Sequence, residues 1–462
     1  MGDKSIIKDK FINDMTEGEP LILLFGFAIP LLIGNFFQQV YNLSDSIIVG
    51  RFVGKVALGA VGSTGSTLFF INSLTSGLSI GIGIIVAQLF GAKEDKKLKN
   101  TIGNSYYIVL FISLLMAIIG FIFGSFILNI LHTPNNTFPF AVRYLRISSI
   151  GFIPMAFFNI LSSILRALGD SKTPLIFLIL AWIINILLDL IFVIKFNLGV
   201  LGVGIATAVS QFISAFFCLI YANMTNSYFR LNSSDFNYNK ELFYKVLNVG
   251  IPLAGQNSLI ALSLIALQRV VNEFGSDFVT SFTVVSRIEL LIQQPFMSLG
   301  AAVATYTGQN IGAGREDRVR LGFLKATLCS SGFAIFIFIL FQSFASFIVK
   351  LFGNDPQVIT FSVKGLKITC SFYIFLGFIH ISRNVLNGAG DAKFCLLNGI
   401  VECIGRVCLA KPLTLIPMIG LNGVWLTTGF TWLLNGLFSI FRYKQGKWKT
   451  ISIIKSNKLT IF

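Results

Sequence analysis

Twelve long apolar runs, parted by short polar breaks, decide what this chain can fold into. They lie at 21–43, 56–90, 101–131, 141–168, 174–196, 200–222, 243–271, 278–311, 323–351, 360–386, 394–416 and 421–441. A helix crosses a bilayer with about 20 apolar residues, and every run reaches that length. Several exceed it, so tilted or protruding helices are expected. None alternates with period two, which excludes barrel strands. Only 12% of the residues are charged, about half the usual share of a soluble domain, and in water so apolar a surface would be adhesive throughout. The expected fold class is all-α, a polytopic membrane protein with twelve transmembrane helices.

The net charge of +16 would suggest nucleic acid in a soluble protein. Here it sorts by side. Of the 36 Lys and Arg, 24 fall in the two tails and the even-numbered loops, among them Lys4, Lys8 and Lys10 at one end and Lys455 and Lys458 at the other. The positive-inside rule makes that side, and both termini, cytoplasmic. The polar residues 1–19 lack the apolar core of a signal peptide. Abundant Lys, Asn, Ile and Phe suggest an AT-rich bacterial genome, so a bacterial plasma (inner) membrane is expected. The six Cys sit in apolar runs without a C-x-x-C pair and read as small core residues. His132 and His380 lie in different regions, which disfavours a His-based metal centre. No G-x-x-x-x-G-K-[ST] motif is present, so ATP is not expected to drive the protein. Most of the 48 Phe must face lipid or pack helices.

The chain also repeats itself. Ile29-Pro30-Leu31 returns as Ile251-Pro252-Leu253, 222 residues on. Gln88-x-x-Gly91-Ala92 returns as Gln309-x-x-Gly312-Ala313, 221 residues on. Leu165-Arg166-Ala167-Leu168-Gly169-Asp170-Ser171-Lys172 returns as Leu386-Asn387-Gly388-Ala389-Gly390-Asp391-Ala392-Lys393, and Gly199-x-x-Gly202-Val203 as Gly420-x-x-Gly423-Val424, both again at 221. The expected organisation is a tail at 1–19, a six-helix lobe at 20–222, a linker at 223–242, a second six-helix lobe at 243–442 and a tail at 443–462. Parallel repeats of this kind are a transporter design with the substrate path between the halves; a duplicated scaffold without transport is the plainer alternative.

Acids inside spans are costly and mark function by default. Asn35, Gln38, Asn42 and Asp45 step by 3, 4 and 3, placing a polar stripe on one helix face. Asn185 and Asp189 share a face of the fifth span, and Thr207 lies in the sixth. Hard cations want oxygen ligands, so these groups suit a Na⁺ cage, and the same carboxylates could hold a proton instead. The repeat puts Arg406, Ala410 and Thr428 opposite Asn185, Asp189 and Thr207, with Glu402 one turn before Arg406 as its expected partner. Ion coupling is therefore expected in the first half. Gln256, Arg287, Gln293 and Gln294 are candidates for lining a cavity; Arg287 with Glu289, and Arg269 with Glu273 at i,i+4 near a helix end, either line the cavity or form structural pairs. Pro30 and Pro252 are either first-turn prolines or bends. Gly59, Gly62 and Gly65, and Gly77 and Gly81, read as sites of close helix approach.

The stretch from Ala28-Ile29-Pro30 through Asp45-Ser46-Ile47-Ile48-Val49-Gly50-Arg51 resembles the start of the multidrug and toxic compound extrusion (MATE) family. So do Gly308-Gln309-Asn310-Ile311-Gly312-Ala313-Gly314 and the two Gly-Asp-x-Lys loops, and the resemblance spans about 21–441. It implies two lobes around a central cavity and antiport, with organic cations or drugs leaving as Na⁺ or H⁺ enters. It carries the cation site to Asp45, Asn185, Asp189 and Thr207, and a conformational role to Pro30. It leaves Na⁺ against H⁺ open. No catalytic group, cofactor or nucleic-acid partner is expected, and the protein is expected to act as a monomer in the bilayer. The alternative is a flippase for a lipid-linked or other amphipathic metabolite, which would want a cationic cavity.

Overall fold

The structure, a computed structural model, describes residues 11–131, 133–449 and 451. Lys4, Lys8, Lys10, His132, Lys455 and Lys458, with the outer parts of both tails, lie outside the described residues. Among the described residues all regular structure is helical. The helices are α1 (Pro20–Ile48), α2 (Lys55–Gly91), α3 (Asp95–Ile130), α4 (Phe138–Ala167), α5 (Lys172–Leu190), α6 (Val200–Thr225), α7 (Lys240–Val271), α8 (Ser276–Gly312), α9 (Glu316–Lys350), α10 (Pro356–Cys370), α11 (Tyr373–Ala389), α12 (Ala392–Leu415) and α13 (Asn422–Lys444).

Nine of these described helices are long and apolar enough to cross a membrane, and α10 with α11 makes a tenth. The other two, α8 and α12, have 37 and 24 residues and fall short in apolarity, not in length. Glu289, Gln293 and Gln294 interrupt α8, and Glu402 and Arg406 interrupt α12. Counting the bent pair as one gives the twelve spans expected. Large exposed side chains such as Phe111, Phe123 and Phe126 on α3 and Phe336, Phe344 and Phe347 on α9 supply a surface fit for lipid.

The bent pair has a specific cause. The Lys367 carbonyl accepts from Ser371 Oγ at 3.1 Å and from Gln342 Nε2 of α9 at 3.0 Å. Ser371 N turns instead to Ile368 O, three residues back. Side chains inserted into the i→i−4 ladder kink a helix, and α10 and α11 meet at 51°.

The chain forms two compact units. Of the described residues, the first holds 11–14 and Ile29–Ala254; the second holds Met15–Ala28 and those from Gly255 onward. In the first, α4 packs on α2, α3 and α6, and α5 on α6. In the second, α11 packs on α8, α9 and α13, and α12 on α13. The register of the left-handed turns repeats as well: Gly54 and Gly275, Lys93 and Gly314, Gly169 and Gly390, Gly199 and Gly420 all have positive φ. Pro30 and Pro252 lie well inside continuous helices, not in their first turns. Each deletes one backbone hydrogen bond, and each helix passes from one unit to the other within a turn of its proline.

The close-approach glycines divide. A Cβ on Gly77 would stand 2.5 Å from Ala254 N of α7, and one on Gly81 3.0 Å from Gly250 N. Gly62 and Gly65 have no neighbour within 4 Å among the described residues, so they are not packing sites. Gly77→Val is expected to destabilise the first unit by about 1–3 kcal/mol through overpacking, read as a lower melting temperature in detergent. The same change at Gly65 is expected to leave that temperature nearly unchanged.

Candidate functional site in the first unit

Helix α1 is held on α5 by Phe37 against Trp182, with ring centroids 5.5 Å apart, and by Trp182 Nε1 donating to Ser44 Oγ at 3.5 Å. That docking sets Asp45 facing Asp189, the two carboxyls within hydrogen-bonding reach. Asn185, one turn before Asp189, donates from Nδ2 to Thr207 Oγ1 of α6 at 3.5 Å. Four residues from three helices thus converge.

Asn185 and Asp189 are 0% exposed. Asp45 Oδ1, Asn185 Oδ1 and both Asp189 carboxyl oxygens are buried without a hydrogen-bond partner. A buried acceptor left unmet costs about 1–3 kcal/mol, more when charged, and two facing carboxylates repel each other. A monovalent cation among those oxygens would relieve both penalties, whereas a proton between the carboxyls would relieve their repulsion and leave Asn185 Oδ1 unmet. Among the described residues no group of three or more His, Cys, Asp and Glu stands together, so the donor set does not suit zinc-type binding.

Just beyond the acids both helices widen. Helix α1 runs into a π-helical turn at Val49–Val53 and α5 into one at Ile191–Lys195, and these turns touch. Such turns are frequent at functional sites. An apolar cluster of Ile48, Val49, Ala57, Val193, Val200 and Val203 closes this end of the site, with Tyr144 against it.

In the second unit the polar residues form a connected network. Gln256 Nε2 donates to Asn398 Oδ1 at 3.3 Å, and Asn398 Nδ2 donates to Asn435 Oδ1 and to Ser439 Oγ. Asn435 Nδ2 reaches Glu402 Oε2 at 3.1 Å; Glu402 Oε1 holds Arg406 Nη2 at 2.9 Å; Arg406 Nη1 donates to Ser263 Oγ at 2.7 Å. Glu402 and Arg406 pair as expected. Gln256 belongs to this network and not to a cavity wall.

A family comparison fits this arrangement. The MatE family model matches residues 30–191 and 252–408, one stretch in each half of the repeat. The chain belongs to the MATE family. A probable multidrug resistance protein of Bacillus subtilis, YpnP, is 29% identical over 95% of this chain and 98% of its own length. The multidrug export protein MepA of Staphylococcus haemolyticus is 22% identical over 90% of this chain and 92% of its own length. A crystal structure of MATE in the bent conformation superposes with a TM-score of 0.89 at 22% identity, covering 96% of this chain and 98% of that one. A MATE family multidrug resistance transporter in an outward-facing conformation gives 0.87 at 22% identity, covering 96% and 98%. The protein is thus a multi-pass membrane transporter of this family.

Several side chains of this MATE protein stand elsewhere than their sequence spacing suggested. Asn42 is exposed; its neighbour Tyr41 turns inward, 4% exposed, beside Thr207 and Ser210 without closing a regular hydrogen bond. Asn35 and Gln38 line a separate cavity with Pro30. The polar stripe therefore splits between two places. Arg287 is exposed and Gln293 half-buried, while Gln294 donates back to Leu290 O at 2.8 Å. Glu273 pairs with Lys411 of α12, not with Arg269. Glu289 of α8 has Oε1 buried without a partner beside Thr369 of α10. Tyr41 was the least legible, because an aromatic in an apolar run gives no spacing signal of its own. The Gln309-Asn310 motif has a different role: Gln309 Oε1 accepts from Met15 N at 2.7 Å, and Asn310 Nδ2 donates to Met15 O at 3.0 Å, gripping the chain before α1.

Proposed function

We propose that this chain is a secondary multidrug efflux antiporter, exporting organic and mostly cationic, amphipathic compounds in exchange for inward Na⁺ or H⁺. The observation that carries the reading is half-buried Asp45 facing buried Asp189, whose three partnerless oxygens make four with Asn185 Oδ1. Relatives named for multidrug resistance and multidrug export support the substrate class. The basic tails and even loops support a topology in a bacterial plasma membrane with both termini cytoplasmic.

In this cycle an ion from outside reaches the pair and neutralises it. The repulsion between the two carboxylates falls, the packing of α1 on α5 changes, and affinity for the organic cation drops. Linkage requires that the bound cation weaken the ion equally. One inward charge supplies about 2.3 kcal/mol per 100 mV, roughly a 50-fold gradient for a neutral substrate. A monovalent cation leaving against one ion is electroneutral, so the ion's own gradient then drives it.

The test is transport in proteoliposomes with Na⁺ and pH gradients imposed separately. One gradient is expected to drive saturable movement of ethidium. Movement driven by neither, or turnover of a lipid in place of transport, overturns the reading.

A further inference from the structure

The first unit holds a second polar cavity of about 140 Å³, apart from the acid pair, between α1, the end of α4 and the start of α5. Gln38, Asn159, Ser162, Arg166 and Ser171 line it. Ser162 is 3% exposed and its Oγ has no hydrogen-bond partner. Arg166 is half-buried, and among the described residues no carboxylate lies within ion-pair distance of it. The nearest acid in sequence, Asp170, is turned away: its Oδ1 accepts from Lys172 N at 3.0 Å and Thr173 N at 2.9 Å, capping α5.

The second unit shows how this chain treats a span cation that has only a structural task. Arg406 is bridged to Glu402 and bonded to Ser263. At the position equivalent to Arg166 the second unit has Asn387, whose Oδ1 accepts from Cys395 Sγ. An open guanidinium in one cavity with an unmet hydroxyl and the three amides of Asn35, Gln38 and Asn159 is therefore particular to the first unit. A guanidinium offers a fork of donors matched to a carboxylate. The cavity takes such a group but not a whole drug-sized molecule, which needs about 300 Å³ or more.

We infer that the Arg166 cavity is a carboxylate subsite, which lets the transporter take zwitterionic organic compounds as well as simple cations. The inference rests on the export reading for its ligand. The experiment is fluorescence-polarisation binding to the full chain in detergent with two dyes of one skeleton. Rhodamine 6G is a monocation; rhodamine 19 is the same ring system with a free carboxylate. Arg166→Gln is expected to raise the Kd of rhodamine 19 by about tenfold, as loss of a charge-assisted bond does, and to leave rhodamine 6G within about twofold. Arg166→Lys, which keeps the charge without the fork, is expected to fall between. Benzoate is expected to displace rhodamine 19 and not rhodamine 6G from the wild-type chain, an arm that needs no variant to fold. If both dyes bind wild type but Arg166→Gln shifts them equally, or benzoate spares rhodamine 19, the subsite is overturned and the export reading stands. If neither dye binds wild type, both are overturned.

Discussion

Asp189→Asn is expected to abolish ion-driven export while leaving the chain as stable as wild type, or more so. The two halves of that expectation come from one observation. Asp189 is 0% exposed, receives no hydrogen bond and faces Asp45. An asparagine of nearly the same shape removes a like charge and gains an amide that Asp45 can accept from. Nothing structural is lost, so the melting temperature in detergent should hold or rise. What is lost, in the proposed cycle, is the group whose charge changes with the ion. Coupling free energies of about 1–3 kcal/mol correspond to about 5–150-fold, and that ratio between transport with and without the gradient should collapse to one. Asp45→Asn should act alike. Ethidium binding without a gradient should survive in both, which separates lost coupling from lost substrate recognition. Gradient-driven transport by Asp189→Asn at the wild-type rate would remove the site from the mechanism.

The parts of this molecule written at helical spacing were readable from the chain alone. Asn185 and Asp189 sit four apart and emerge on one buried face; the 221-residue offset reappears as matched left-handed turns from Gly54 and Gly275 onward. What was not readable depends on angles that spacing does not fix. Asn42 and Tyr41 are adjacent, so a rotation of α1 by one residue's turn decides which enters the site, and the docking of Phe37 on Trp182 selects Tyr41. The break between α10 and α11 has no proline or glycine to announce it. It arises because Gln342, from another helix, takes the Lys367 carbonyl. Gln256 looked like a cavity residue because an amide inside a span needs water or a partner; the partner, Asn398, is 142 residues away.

Glu402→Ala is expected to be the most destabilising single change in the second unit. It strips Arg406, 4% exposed, of its only described carboxylate at 2.9 Å and leaves Asn435 Nδ2 without an acceptor. Breaking one side of a buried pair costs about 3–5 kcal/mol, enough to lower the yield of monodisperse protein sharply. Removing both charges together reverses most of that loss, because an apolar pair of similar volume owes no desolvation. Glu402→Met with Arg406→Met is therefore expected to recover stability, measured by size-exclusion profile after heating, and to retain gradient-driven ethidium transport. That retention is the decisive readout. The pair stands where the first unit keeps Asn185, one turn from Asp189, and the repeat alone would permit it a coupling role too. The carboxylates argue otherwise: Asp189 has two oxygens without partners, whereas both Glu402 oxygens are engaged and the pair leaves only Arg406 Nε unmet. A double variant that folds but no longer transports would make the second unit a participant in ion coupling.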